Sequence, residues 1–154
     1  TDINTGTLKD IRRLSMQISA RNQISGIVEL ISNGTVNAEV YIKLKSGHTI
    51  VSVITNTAVN NLDLNLGDEV VAIFKSNTVL ISTDIKLNIS ARNKFSGTID
   101  SINQGEINSE LVIDIGNGDK IASVITTNSI ETLNIKEGMQ VSAIIKASDV
   151  MLGK

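Results

Sequence analysis

The sequence has no cysteine and a single histidine, His48. Disulfides, thiolate metal sites and histidine clusters are therefore excluded. Tryptophan is absent, and Tyr41, Phe74 and Phe95 are the whole aromatic set. That is too few for a surface on which single-stranded nucleic acid could stack. A formal net charge of −2 and a pI near 5.4 give no basic footprint for nucleic acid either. No apolar run approaches the ~20 residues of a membrane span, and no charged-then-apolar leader opens the chain. The expectation is a cytoplasmic protein with no membrane partner. Catalytic signatures are equally scarce. No P-loop or dinucleotide fingerprint occurs, and His48 has no counterpart in the second half, where Asp119 stands. The chain is read as no enzyme, with no catalytic residue and no direct cation ligand.

What the sequence has instead is a repeat. Ile18-Ser19-Ala20-Arg21-Asn22 returns as Ile89-Ser90-Ala91-Arg92-Asn93. Residues 18–80 align with 89–151 without a gap, at an offset of 71, with 25 identities in 63 positions. Gly26, Gly34, Gly47 and Gly67 match Gly97, Gly105, Gly118 and Gly138, which suggests turns or bulges that a side chain would obstruct. The expected organisation is a lead-in over 1–17, a first unit over 18–81, a link over 82–88 and a second unit over 89–154.

With so few aromatics the core must be built from Ile, Val, Leu and Ala, a composition that favours strands. Val36, Ala38, Val40, Ile42 and Leu44 alternate with polar residues, the period-2 pattern of a half-buried strand. Lys45-Ser46-Gly47-His48 reads as a hairpin turn into a strand over 49–55. Further strands are expected over 25–31, 69–74 and 79–81, with one helical turn over 56–61 capped by Asn56 or Thr57. In the lead-in, Leu8, Ile11 and Leu14 fall at helical spacing, predicting a short helix through about Ser15. The fold class is all-β: two tandem OB-like five-stranded barrels behind a short N-terminal helix. Each unit is marginal alone at this size, so duplication and dimerisation are both expected to support it.

The recurring polar residues form an anion-binding inventory: Ser19 and Ser90, Arg21 and Arg92, Thr55 and Thr126, Lys75 and Lys146. Arginine offers a planar fork of donors, lysine a compact charge, and serine or threonine a rotatable hydroxyl. Small neighbours such as Ala20 and Ala147 let backbone N–H groups approach an oxyanion. Glu39 and Glu110 also recur, but on the polar face of a strand, where a solvated surface acid is the expected reading.

These motifs carry a family resemblance. Ser-Ala-Arg-Asn, then Val53-Ile54-Thr55 and Val124-Ile125-Thr126-Thr127-Asn128-Ser129, then Ile144-Ile145-Lys146-Ala147-Ser148-Asp149-Val150 resemble the Mop, or molbindin, family. Asn37-Ala38-Glu39-Val40 and Gly47-His48-Thr49-Ile50 fit its pattern as well. The resemblance implies OB-like units that bind molybdate or tungstate at interfaces between units, without an organic cofactor. It places Ser19, Ala20, Arg21, Asn22, Ser90, Ala91, Arg92 and Asn93 on one side of such sites. Opposite, from another unit, it places Thr55, Lys75, Ser76, Thr126, Ser129, Lys146, Ala147 and Ser148. In the first repeat Ala58 stands where the second has Ser129, and Ser76-Asn77 where the second has Ala147-Ser148.

The lead-in from Leu8 to Gln17, running into Ile18-Ser19-Ala20-Arg21-Asn22-Gln23, is similar to the junction in ModE-type molybdate-responsive regulators. That implies the ligand-sensing half of a transcriptional regulator, a homo-oligomer and most simply a dimer. It would reach DNA only through an N-terminal domain outside this chain. A freestanding molbindin for intracellular molybdate storage is the alternative.

Overall fold

The computed structural model describes residues 17–154, and the lead-in helix expected through about Ser15 lies outside the described residues. Among the described residues there are ten strands, two short α-helices and two 3-10 turns, Ser76–Thr78 and Ala147–Asp149. The first half holds β1 (Asn22–Asn33), β2 (Asn37–Leu44), β3 (Thr49–Thr55), α1 (Asn56–Asn61), β4 (Glu69–Phe74) and β5 (Leu80–Ser82). The second holds β6 (Asn93–Gln104), β7 (Asn108–Gly116), β8 (Asp119–Thr126), α2 (Thr127–Leu133), β9 (Gln140–Ile145) and β10 (Met151–Gly153). Period-2 burial follows the sequence pattern closely. In β2, Ala38, Val40, Ile42 and Leu44 are buried while their neighbours face outward.

β1 serves both of its neighbours. Its first part pairs with β4, its remainder with β2, and the two pairings overlap at Gly26 and Ile27. Gly26 is required at that corner. A Cβ there would sit 2.4 Å from Ile42 Cγ2 and 2.7 Å from the Lys43 carbonyl oxygen, so only a bare backbone passes. A register shift between Val28 and Leu30 adds a bulge just beyond it, which bends and twists the strand. β6 repeats both devices at Gly97 and between Ile99 and Ser101.

The two sheets are ordered β10-β4-β1-β2-β3 and β5-β9-β6-β7-β8, all neighbours antiparallel. Each sheet therefore takes its fifth strand from the other repeat. The strand expected over 79–81 to complete the first unit instead completes the second, pairing Leu80 with Ile144 and Ser82 with Ser142. Met151–Gly153 returns the exchange along Ile73 to Val71. Hydroxyls fix the crossings: Ser123 Oγ donates to the Val79 carbonyl at 2.8 Å, and Ser52 Oγ to the Val150 carbonyl at 2.6 Å. All four of these residues are buried, so each hydroxyl is matched rather than left unpaired.

One apolar cluster runs through both halves, from Ile24, Val40 and Phe74 to Phe95, Ile113 and Val150. The helix caps depart from the sequence reading by one residue. Thr55, rather than Asn56 or Thr57, caps α1, its hydroxyl accepting from the Ala58 N–H at 3.0 Å. Thr126 caps α2 in the same way from Ser129. A cap needs an extended backbone, which Thr55 has as the last residue of β3.

Candidate functional site

Strand register assembles the site. β1 and β4 pair Asn22 with Phe74. One step beyond that pair, Arg21 lies before the start of β1 and Lys75 after the end of the adjacent strand β4. β6 and β9 pair Asn93 with Ile145, which brings Arg92 and Lys146 together likewise. Two grooves result. The first, a cavity of about 350 Å³, is lined by Ser19, Ala20, Arg21, Lys75, Ser76 and Asn77 with Ile18, Val124 and Met151. The second, about 410 Å³, is lined by Ser90, Ala91, Arg92, Lys146, Ala147 and Ser148 with Val53, Leu80 and Ile89.

Within this chain the guanidinium and ammonium that line each groove belong to the same repeat, through the β1–β4 and β6–β9 pairings. What the other repeat contributes is an apolar wall: Val124 and Met151 in the first groove, Val53 and Leu80 in the second. Thr55, Thr126 and Ser129 line neither groove. They sit at the helix caps, with Thr126 Oγ1 and Ser129 Oγ 2.7 Å apart.

Asn22 and Asn93, carried into the ligand set by the resemblance, are 2 % and 0 % exposed. Their amides are spent on the other repeat. Asn93 accepts from the Val51 N–H at 2.7 Å and donates to its carbonyl at 2.8 Å. Asn22 does the same to Ala122, both at 2.8 Å. Each asparagine stands in for a ladder partner on an edge strand, β3 or β8, and so locks the repeats together. His48 also joins the repeats, its Nε2–H donating to the Ile115 carbonyl at 3.2 Å with its ring beside Phe95.

Sequence reading missed the partners of the arginines. Arg21 Nη1 and Nη2 bind Glu110 Oε2 and Oε1 at 2.5 and 2.9 Å, a two-point fork across the repeat boundary. Arg92 pairs with Glu39 through Nη1, and its Nη2 donates to Tyr41 Oη at 2.7 Å. The hydrogen bond to Glu110, then its charge, raises Arg21 above the ordinary guanidinium range. Arg92 is raised by the bond to Tyr41 first and then by Glu39. Both arginines stay fully charged. Glu39 and Glu110 are therefore not free surface acids. The signal was in the sequence: both recur at the same offset as the arginines they bind. Lys75 and Lys146 have no ion-pair partner among the described residues. Nor is there, among those residues, a group of three His, Asp or Glu side chains able to hold a cation. Each groove is thus a concave patch with two cations and serine hydroxyls, suited to a small oxyanion.

Comparison with known proteins is consistent with that chemistry. The TOBE domain model matches residues 18–81 and again 89–152. The chain is 35% identical over 155 residues to the molybdenum transport protein ModE of Azotobacter vinelandii, covering 98% of this chain and 57% of that one. It is 42% identical over 66 residues to molybdenum-pterin-binding protein 3 of Clostridium pasteurianum, covering 43% of this chain and 97% of that one. A solved structure of the cytoplasmic molybdate-binding protein ModG, with molybdate bound, superposes with a TM-score of 0.86 at 41% identity. That match covers 90% of this chain and 99% of ModG. The chain spans about half the length of the ModE relatives it matches.

Proposed function

The chain belongs to the TOBE-domain family and carries the Mop-type domain twice, and from that membership we propose that it binds molybdate, with tungstate as a second ligand, in its two grooves. One observation carries the reading: strand register places an arginine and a lysine of the same repeat side by side at each groove, next to serines, and does so twice. Two positive charges match a tetrahedral dianion. Arg21, Lys75, Ser19 and Ser76 would hold it in the first groove, and Arg92, Lys146, Ser90 and Ser148 in the second. Binding, with no organic cofactor and no catalysis, is the whole chemistry proposed.

Thr55, Thr126 and Ser129 enter this reading through a second copy of the chain. They lie outside the grooves, so a homo-oligomer, most simply a dimer, is what would bring them to one. Exposed Ile18, Ile89, Leu80 and Met151 at the groove edges supply apolar surface for such a contact.

The role proposed is the ligand-sensing half of a molybdate-responsive regulator, which the ModE relatives support. A dianion that prefers one arrangement of the repeats would shift the population towards it, and DNA would be reached through a separate domain. A second reading, a freestanding protein that holds molybdate, is favoured by the match along 99% of ModG. ModG's description as cytoplasmic supports the same location here. A helix-turn-helix encoded upstream of Thr1 would decide for the regulator.

Titration calorimetry and equilibrium dialysis with molybdate, tungstate and sulfate test the binding. Arg92→Met is expected to lose roughly 1.5–3 kcal/mol per charge-assisted contact removed. Unchanged affinity and stoichiometry in that variant would remove Arg92 from the ligand set.

A further inference from the structure

An anion groove would be expected to exclude carboxylates, yet each of these arginines is already engaged by one. Glu110 holds Arg21 by two bonds, and Glu39 holds Arg92 together with Tyr41. Both glutamates come from the repeat opposite the arginine, on equivalent positions of β2 and β7. Both are partly buried beside the arginines they hold, at 34% and 25% side-chain exposure for Glu39 and Glu110. The lysines of the same grooves carry no such partner among the described residues. We infer that Glu39 and Glu110 set the affinity of the two grooves as internal counter-ions, each holding an arginine across the repeat boundary until an oxyanion takes its place.

This rests on the molybdate reading of the grooves and deepens it. A guanidinium with its Nη1 and Nη2 donors taken has fewer left for a second anion. A carboxylate a few ångströms from a bound dianion also repels it. Anion binding is therefore an exchange: the incoming oxygens gain the arginine, and the glutamate is released to water. The exchange cuts an ion pair joining the two repeats, which couples occupancy to their contact. The two grooves are not equivalent in this respect. Arg92 must also leave the Tyr41 hydroxyl, whereas Val112 occupies the matching place opposite Arg21.

The test is Glu39→Gln with Glu110→Gln in one chain, since glutamine keeps the volume and one acceptor oxygen while removing the charge. Molybdate is titrated into wild type and variant by calorimetry, with thermal unfolding measured alongside. The expected result is binding about ten-fold tighter in the variant at equal stoichiometry, the scale of a competing charge removed at short range. Equal or weaker binding by the folded variant overturns the inference and makes the glutamates positioning residues. Failure of the wild type to bind molybdate overturns the groove reading itself, and this inference with it. A second measurement needs no variant. Tyr41 is the only tyrosine and tryptophan is absent, so tyrosine emission reports on the Arg92 contact. Emission that changes with molybdate and saturates with the second groove supports the exchange, and emission constant through saturation overturns it.

Discussion

Asn93 shows how far a single side chain can be from the role its motif suggests. It travels with Ser90-Ala91-Arg92, yet its amide is fully buried and closed on both backbone groups of Val51. Asn93→Ala leaves a buried N–H and a buried carbonyl unpaired, each costing about 1–3 kcal/mol. Urea unfolding should show the loss, with molybdate affinity in the remaining folded protein little changed. Arg92, one residue earlier, should behave in the opposite way: exposed, weak in its effect on stability, strong in its effect on binding. The sequence separates the two poorly, because a polar residue beside an arginine looks the same whether it faces a ligand or a neighbouring strand. Serine and lysine were easier. Ser90 and Lys146 meet in a groove because they lie just outside paired strand ends. At the equivalent pair in the first repeat the sequence pattern ended β4 at Phe74, as found, but began β1 at Ser25 rather than Asn22.

At the scale of the element, β2, β3 and β4 were legible almost to the residue, whereas β1, expected over 25–31, runs from Asn22 to Asn33. β2 and β3 fall where the alternation and the Lys45–His48 turn put them. The bulges were visible only as repeated glycines. Gly97→Ala tests what that glycine does: the added Cβ would lie 2.6 Å from Ile113 Cγ2 and 2.7 Å from the Asp114 carbonyl oxygen. Because one of those neighbours is backbone of β7, the sheet must shift, and an overpacking cost of about 1–3 kcal/mol is expected. Chemical denaturation measures it, and a neutral effect would mean that β6 and β7 can separate at this corner. The helix caps moved by one residue for a local reason. The final residue of a strand already has the extended backbone that a cap requires, so Thr55 and Thr126 take the role.

Across the whole molecule, the exchanged strands make the repeats interdependent. Deleting residues 151–154 removes β10 from the second repeat but strips the β4 edge of the first. Hydrogen exchange should therefore quicken at Val71 to Ile73 rather than in the β9 edge that Leu80 to Ser82 cover. Faster exchange confined to β9 would contradict the swap. The same end of the chain carries an ion pair between repeats, Lys154 Nζ to Asp68 Oδ2 at 2.9 Å. The hydrogen bond from Lys154, then the Asn65 N–H, holds the Asp68 carboxyl below its ordinary value. A carboxyl lowered on folding contributes stability that is complete above its unfolded value and disappears as pH falls through the lower folded one. Lys154→Met should therefore lower the unfolding temperature slightly near neutrality, and the difference should close below about pH 4. The pair is exposed, so the effect is small.

The sequence alone determined the duplication, the all-β units, most of the strands and the cations and hydroxyls available for an anion, because period-2 burial and a fixed repeat offset are local properties of the chain. Only the tertiary structure decided which strand closes which sheet, which cation stands beside which, and that Glu39 and Glu110 hold the arginines. Two homologous repeats with the same strand pattern offer equivalent pairing partners, so the sequence cannot distinguish a strand folding back on its own unit from one crossing to the other. The choice is made by packing between the units: the buried asparagine and serine contacts that exist only when both are present.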